Sequence, residues 1–154
     1  MDHERSLEGL LDKAAITDAI HAYCFHFHRA EAIEVLKLFI EDAVIDYGPD
    51  VPTMNGVTEI GPMITRGLQS FFAATSHHIS NVAIQFDGPD TAQSVSYLYA
   101  WHRYVDERPN SELWGQYHHS FRRTPQGWKI SRLRLVAAGS ENFHRDAMHP
   151  IGRR

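Results

Sequence analysis

The side chains of this sequence with the widest capacity for acid–base chemistry are its eleven histidines. Two of them, His77 and His78, are adjacent in the stretch from Thr75 to Phe86, which alternates polar and apolar residues and stops at an Asp-Gly turn. This pattern predicts a strand. Because successive side chains of a strand point to opposite faces, one histidine faces the interior and the other faces outward. An interior imidazole, with an ordinary pKa of about 6.5, can take or give a proton near neutral pH.

Three further histidines could face the same interior. His28 lies at the end of a predicted helix, four residues after Cys24, on the edge of that helix's apolar stripe. His102 lies in a predicted strand, and in the following strand the alternation sends His119 and Tyr117 to one face. Solvent is the expected environment of the histidines near the chain ends, which are His3, His144 and His149.

An alternative hypothesis is that several of these imidazoles together bind a metal ion. Each adjacent pair of histidines offers one inward ring, so the ligands would have to come from separate elements, for example from His28, His77, His102 and His119. The chain has no motif of the type His-Glu-x-x-His, which places two ligands on one helical face. We therefore predict that the protein holds no metal, and the set of separate histidines stays open as the alternative.

The hydrophobic periodicity predicts the helices and strands on which these residues lie, and the order of those elements along the chain. Helices are predicted at 7–28, 31–39 and 57–74, and Ser6 is a candidate N-cap of the first. The segment 50–56 is predicted to be a loop. Strands joined by short turns are predicted at 43–47, 76–86, 91–105, 112–123 and 128–136.

This order indicates an α+β fold. The hairpin-length turns predict a curved antiparallel sheet, and the three helices are expected to pack on its concave face, as in a cone-shaped barrel. Such a cone encloses a cavity, which is the default site for a small molecule. The chain is expected to form one domain over 1–154, with a core at about 7–137 and a partly disordered tail at 138–154.

Composition excludes several classes of function. The formal net charge of −4 argues against a nucleic acid as partner. No apolar run approaches the roughly 20 residues that span a bilayer, and the charged start of the chain is unlike a secretory signal. The single cysteine, Cys24, fits a reducing compartment, so we expect a cytoplasmic protein.

With this order established, the sequence resembles the SnoaL-like branch of the nuclear transport factor 2-like superfamily. The similar segments are Ala14–Asp18, Tyr23-Cys24, Leu38–Tyr47, Thr75–Asn81 and Gly127–Ile130. The family includes dehydratases, dehydrochlorinases, cyclases, isomerases and binding proteins without catalysis. The resemblance therefore implies a cone-shaped barrel, while the reaction has to be argued from the site.

The resemblance also implies roles for particular residues. It places the acid–base histidine of the dehydratases at His77, and it places their partner aspartate at the position of His28, which is a departure from the family pattern. A carboxylate stabilises an imidazolium, which a second imidazole does poorly. Tyr47 resembles the tyrosine that polarises the substrate, and His102 resembles the second histidine of scytalone dehydratase. Tyr23 and the weaker candidate His119 would line the pocket.

The resulting hypothesis is a lyase or isomerase of the dehydratase type, without a cofactor, that acts on a small apolar cyclic or aromatic molecule. The alternative is a small-molecule binding protein of the same fold that has lost catalysis, which the missing aspartate favours. Opposite His102, an aromatic row covers the outer face of the sheet, and it predicts a homo-oligomer, dimer or trimer, formed through that face. The row consists of Tyr97, Tyr99 and Trp101.

Overall fold

The structure, a computed structural model, describes residues 6–152. The helices are α1 (Leu7–His28), α2 (Ala32–Leu36) and α3 (Val57–Arg66), and a π-helical turn at Gly67–Phe71 follows α3. The strands are β1 (Phe39–Asp46), β2 (Met54–Asn55), β3 (Phe72–Phe86), β4 (Thr91–Tyr104), β5 (Ser111–Thr124), β6 (Gly127–Glu141) and β7 (His149–Pro150).

The strands form one curved sheet in the order β2-β1-β6-β5-β4-β3, and β7 pairs beside β6. The run from β3 to β6 is an antiparallel meander, as the short turns predict. However, β1 runs parallel to β6, with Ile45 opposite Leu133, so the expectation of a purely antiparallel sheet is wrong at this edge. Short turns predict the pairing of consecutive strands only, whereas β1 and β6 are neighbours in the sheet that lie far apart in the chain. Among residues 6–152 the sheet does not close, because β2 and β3 remain its edges.

Helix α1 begins and ends where the sequence predicts. The hydroxyl of Ser6 accepts a hydrogen bond from the main-chain N–H of Gly9 at 3.0 Å, which satisfies one of the free donors at the start of the helix. The apolar stripe of α1 is buried against β3 and β6. Tyr23 and Cys24 belong to that stripe, so the helix brings a tyrosine and its own C-terminal end to the concave face of the sheet.

The other two helices are shorter than predicted. Phe39, expected at the end of the second helix, already belongs to β1. The third helix ends at Arg66, and after the π-helical turn the chain is extended from Phe72, four residues earlier than expected. Helix α3 nevertheless continues through Gly61-Pro62. A side chain at Gly61 would lie 3.2 Å from Leu36, so glycine permits the close approach of α2 and α3.

The chain after residue 137 is folded back onto the domain. Strand β6 continues to Glu141, and β7 pairs in parallel with Val136 and Ala137. The connection between these strands brings the side chains of Phe143, His144 and Arg145 over the concave face. Among the described helices, none is long and apolar enough to cross a membrane.

Candidate active site

A cavity lies between the concave face of the sheet, the C-terminal half of α1, α3 and the segment before β7. The space between its lining atoms, counted together with the solvent at its open mouth, is about 560 Å³. Most of its wall is apolar or aromatic, as is typical of small-molecule sites. The polar side chains on the wall are Tyr23, Tyr47, His77, His102, Tyr117, His144 and Arg145.

His77 lies on the inner face of β3, opposite Ala100 of β4. Its ring meets the rings of Phe27 and His102 edge-on, each at 5.3 Å between centroids. Its Nδ1 is buried and has no hydrogen-bond partner within residues 6–152. Burial, followed by the neighbouring imidazoles of His102 and His28, lowers the pKa of His77 well below its ordinary value. The ring is therefore neutral at pH 7 and can accept a proton.

His28 lies behind His77, outside the wall of the cavity. It lines a separate outer groove with His21 and Phe25. Its Nε2 accepts a hydrogen bond from the main-chain N–H of His77 at 2.5 Å, and the two rings are nearly parallel with centroids 5.5 Å apart. No hydrogen bond joins the two rings within residues 6–152, because the end of α1 places His28 against the backbone of the edge strand. In this geometry His28 positions β3 and does not share the proton of the His77 ring.

Tyr47 and Tyr23 form a pair of hydroxyl groups at one end of the cavity. Their oxygens are 2.6 Å apart, and the ring of Tyr117 packs edge-on against Tyr23 at 5.8 Å. Burial raises the pKa of all three tyrosines, so each hydroxyl keeps its proton at neutral pH. One proton of the Tyr23–Tyr47 pair holds the two oxygens together, and the other is available to donate to a ligand oxygen.

His102 faces the cavity from β4. Its Nδ1 lies 3.4 Å from the hydroxyl of Ser111 on β5, which leaves Nε2 as the ring nitrogen for the cavity. Burial and then the positive charge of Arg145 lower the pKa of His102 to about 4. His102 is thus a second neutral imidazole, in edge-on contact with His77.

Three lining residues come from the segment that the sequence predicts to be a partly disordered tail. His144 is half-buried, and its Nδ1 is 2.8 Å from the hydroxyl of Tyr104, so the expectation that this histidine is solvated is wrong. Arg145 donates from Nη1 to the main-chain carbonyl of Tyr47 at 2.6 Å, and its guanidinium lies 4.9 Å from the Tyr47 ring centroid. A signal was present: Phe143-His144-Arg145 puts an aromatic ring, an imidazole and a cation inside an otherwise small and polar stretch.

Two other predicted positions differ from expectation. His119 is on the inner face of β5 but lies outside the cavity, opposite Ser94 and in contact with the ring of Phe121. The strand alternation correctly predicted the face of β5 on which His119 lies, but it could not predict how far along the strand the cavity extends. His149, expected in solvent, bonds through Nε2 to the carboxylate of Asp46 at 2.8 Å. His3 lies outside the described residues.

The histidines do not form a shared set of metal ligands in the part of the chain that the structure describes. No group of three or more His, Cys, Asp or Glu side chains is arranged to hold an ion within residues 6–152. The Nε2 of His28 already accepts a hydrogen bond from the main-chain N–H of His77, and His119 lies away from the cavity that His77 and His102 line. The open alternative of a four-histidine cluster therefore has no geometric support.

The cavity combines neutral bases with donors for an oxygen atom. His77 and His102 can each accept a proton at neutral pH, and the tyrosine pair and Arg145 can stabilise negative charge on an oxygen. Arg145 is the only ionised side chain on the wall among the described residues, and none of the ion pairs found there includes it. Such a site suits a reaction that removes a proton next to an oxygen-bearing carbon.

Comparison with known proteins finds a matching family and similar solved structures. The family model of the SnoaL-like domain matches residues 8–134. The structure of a proposed scytalone dehydratase from Novosphingobium aromaticivorans is 32% identical, with a TM-score of 0.89 over 95% of this chain and 97% of that one. A proposed aromatic ring hydroxylase from the same species is 27% identical, with a TM-score of 0.79 over 84% and 91% of the two chains.

A type 2 hexachlorocyclohexane dehydrochlorinase has a TM-score of 0.81 at 17% identity, over 96% of this chain and 99% of that one. At that identity the likeness shows the fold alone. No curated protein sequence matches the chain.

Proposed function

Because this chain belongs to the SnoaL-like domain family, we propose that it is a lyase or isomerase of the dehydratase type that needs no cofactor and acts on a small apolar cyclic or aromatic molecule. The fold, with dehydratase and dehydrochlorinase structures among its neighbours, supports a lyase-like or isomerase-like activity. The observation that carries the finer proposal is the convergence of His77, His102 and the Tyr23–Tyr47 pair on one mostly apolar cavity.

In the proposed reaction His77 is the base. The substrate ring fills the apolar part of the cavity, and its oxygen lies between Tyr47 and His102. His77 then removes a proton from the carbon beside the oxygen-bearing carbon, and the proton is later returned to carbon in an isomerisation or lost to water in an elimination. The edge-on contact of His77 and His102 supports these roles, because one bound molecule can touch both rings.

Arg145 adds electrostatic stabilisation to this reaction. Removing a proton next to a carbonyl places negative charge on the oxygen, and a half-buried guanidinium acts strongly on such a charge. The guanidinium of Arg145 contacts both the ring and the main-chain carbonyl of Tyr47. The positive charge and the tyrosine hydroxyl therefore lie at the same end of the cavity. His28 supports the base indirectly by holding the backbone of His77.

The low pKa of His77 limits the substrates that this site can use. A base with a depressed pKa is weak, and here burial, followed by the neighbouring imidazoles of His102 and His28, disfavours the protonated form. It can act only on a carbon acid whose anion is well stabilised, such as the carbon next to a ketone. Cyclic ketones that carry a β-hydroxyl group or a β,γ double bond have the required acidity.

The test is turnover of a panel of β-hydroxy and β,γ-unsaturated cyclic ketones, followed by NMR in D₂O, which also reports exchange of the α-proton. We expect His77→Ala to lower the rate by at least about 100-fold, the usual contribution of a general base. His78→Ala is the matched control, because His78 is exposed on the other face of β3 and bonds to Ser76. Retention of turnover by His77→Ala would contradict the role of His77.

The second candidate function is a binding protein without catalysis, and a specific observation favours it. Among the described residues, no carboxylate lines the cavity to stabilise a protonated His77. If panel members bind and shift the NMR signals of the cavity residues, but neither react nor exchange protons, the binding function is correct.

We also propose that the protein is a homo-oligomer that associates through the outer face of the sheet, and that it works in the cytoplasm. Tyr97 and Trp114 on that face are 47% and 41% exposed, an unusual exposure for such large aromatic rings. Sedimentation velocity should show a dimer or trimer for the natural protein. It should show a smaller species for Trp114→Lys, while Phe25→Lys on the outer side of α1 serves as the control; a monomer in all three would contradict the proposal.

A further inference from the structure

A chain of hydrogen bonds runs behind the cavity wall and joins two of its histidines. From His102 the chain passes to the hydroxyl of Ser111 over 3.4 Å, then to the hydroxyl of Tyr104 over 2.6 Å, and then to Nδ1 of His144 over 2.8 Å. Ser111 and Tyr104 do not line the cavity, whereas both histidines do. We propose that this chain is a proton relay that couples the imidazole of His102, inside the cavity, to that of His144 at its mouth.

The position of His144 gives the relay its outer end. His144 lines both the cavity and an adjoining depression at the surface, together with Asp50, Arg66 and Arg145. The centroids of the His102 and His144 rings are 5.9 Å apart, and their planes cross at 79°. No direct hydrogen bond between these two rings exists among the described residues. A proton that passes between them within the protein therefore has to pass through Tyr104 and Ser111.

Counting hydrogens shows that the chain couples the two rings. Three hydrogen bonds need three hydrogens, and the two hydroxyl groups supply two of them. With both hydroxyl hydrogens held within the chain, the third must come from one of the two imidazoles, so a single Nδ1 of the pair carries a proton when all three bonds are made. When His102 carries its proton on Nδ1, His144 carries its proton on Nε2. The opposite arrangement is the other state of the relay.

The relay replaces a proton that His102 gives to the substrate, or carries away a proton that His102 receives, so that His102 stays neutral. If Nε2–H of His102 protonates a leaving hydroxyl group, the proton of Ser111 moves to Nδ1 of His102. The proton of Tyr104 then moves to Ser111, and Nδ1–H of His144 moves to Tyr104. His144 takes up a new proton on Nε2 from water at the mouth, and every member of the chain is neutral before and after. Without the relay His102 would be left as an imidazolate, which is far too costly in a buried site.

The surroundings of Tyr104 favour passage of a proton. Burial raises the pKa of this hydroxyl, so it stays protonated, and the guanidinium of Arg108 lies 5.0 Å from the ring centroid. A nearby cation stabilises the negative character that the oxygen gains while its proton moves. Arg108 is itself held by Asp106, with Nη2 and Oδ2 2.6 Å apart.

The coupling can be measured in the ligand-free protein by ¹⁵N NMR of the histidine rings. We expect opposite tautomers for His102 and His144. In Tyr104→Phe, which keeps the ring and removes the hydroxyl group, the tautomer populations of both rings should change, although Tyr104 bonds directly only to Ser111 and His144. Ser111→Ala should have the same effect, and Ser96→Ala should have none, because Ser96 is a buried serine without a partner in the described residues.

Two outcomes would overturn the relay. One is Nδ1–H on both rings, or Nε2–H on both, in the natural protein, a result that does not depend on any variant. The other is a His102 tautomer that neither Tyr104→Phe nor Ser111→Ala alters. The role in turnover rests on the proposed function: we expect Tyr104→Phe to lower kcat about tenfold with KM nearly unchanged, since Tyr104 does not touch the substrate. Because the tautomers are read without substrate, failure of the relay and failure of the proposed reaction are distinguishable.

Discussion

At the scale of single residues, the departure of this chain from the dehydratase pattern has a structural meaning. Where the family has an aspartate beside the catalytic histidine, His28 bonds to the main chain of His77. The His77 ring thus loses both a carboxylate and a fixed tautomer, and burial depresses its pKa. In the proposed reaction, His77 therefore depends more on the donors at the other end of the cavity, which are Tyr47 and Arg145.

Restoring the carboxylate should strengthen the base. In His28→Asp a negative charge replaces a neutral ring whose centroid is 5.5 Å from that of His77. An opposite charge at this range raises the pKa of an imidazole by about 1–3 units. NMR titration of the His77 ring in His28→Asp measures the shift, and His28→Asn is the uncharged control. An equal pKa in the two variants would show that position 28 cannot act on the ring electrostatically.

At the scale of elements, the backbones of β5 and β6 approach each other closely at one point, and this contact shapes the concave face of the sheet. The register between these strands shifts beside Gly115, where a side chain would lie 2.4 Å from the carbonyl oxygen of Val136. Only glycine fits this contact. The irregularity lies between Leu113 and Tyr117, both of which line the cavity.

A substitution at this glycine should therefore be costly. In Gly115→Ala the new methyl group forces the strands apart, and we expect the free energy of unfolding to fall by about 2–3 kcal/mol, as for overpacked cores. Gly139→Ala on β6 is the control, because the space beside Gly139 is open, and its change should stay within about 0.5 kcal/mol. Urea unfolding measures both. Similar stability in the two variants would mean that β6 moves aside at no cost.

At the scale of the whole molecule, buried neutral histidines make the fold sensitive to acid. Burial lowers the pKa of His102 to about 4 and that of His119 to about 3, where His118 adds a smaller effect. Both ring nitrogens of His119 are buried without a partner within residues 6–152. In the unfolded chain the same groups titrate near about 6.5. Between these values the unfolded chain binds protons that the folded chain does not bind.

Stability should accordingly be complete above about pH 6.5 and fall as the pH is lowered. Each such histidine contributes at most about 1.4 kcal/mol per pH unit, and less near pH 6.5, so these two together should lower the free energy of unfolding by about 2 kcal/mol between pH 6 and pH 5. His77 and His144, whose pKa values are also lowered, add to this fall. His119→Leu should remove about 1 kcal/mol of this fall, the share of one histidine, and His21→Leu, at an exposed position of α1, should leave the fall unchanged. Urea unfolding across this range is the measurement. A free energy that does not vary with pH would contradict the assignment.

Also at this scale, the resemblance found in the sequence is confirmed: the chain is a SnoaL-like domain with a mixed α+β fold. The likeness shows the fold and supports a lyase-like or isomerase-like activity, and it does not reach the substrate. The polar groups of the site come from α1, the chain after β1, β3, β4, β5 and the segment before β7, so the cavity depends on the complete fold.

The sequence by itself determined the elements and the faces of their residues. The period of α1 predicted its bounds and the burial of Tyr23. Strand alternation predicted that Tyr117 and His119 share one face and that His102 lies opposite the aromatic row, whereas the inward position of His102 was an expectation from the family resemblance. These are local properties, because the geometry of a helix or strand repeats every few residues and burial follows that repeat. His77 was assigned to the inside through the family resemblance, and its ring does line the cavity.

Only the tertiary structure decided which of these residues meet. It placed His119 away from the cavity, bonded His28 to a backbone, paired β1 with β6, and brought Arg145 into the site from a polar tail. It also joined His102 to His144 through two hydroxyl groups. Depth along a cone and contacts between distant segments depend on the packing of the whole chain, and no local repeat of the sequence encodes them.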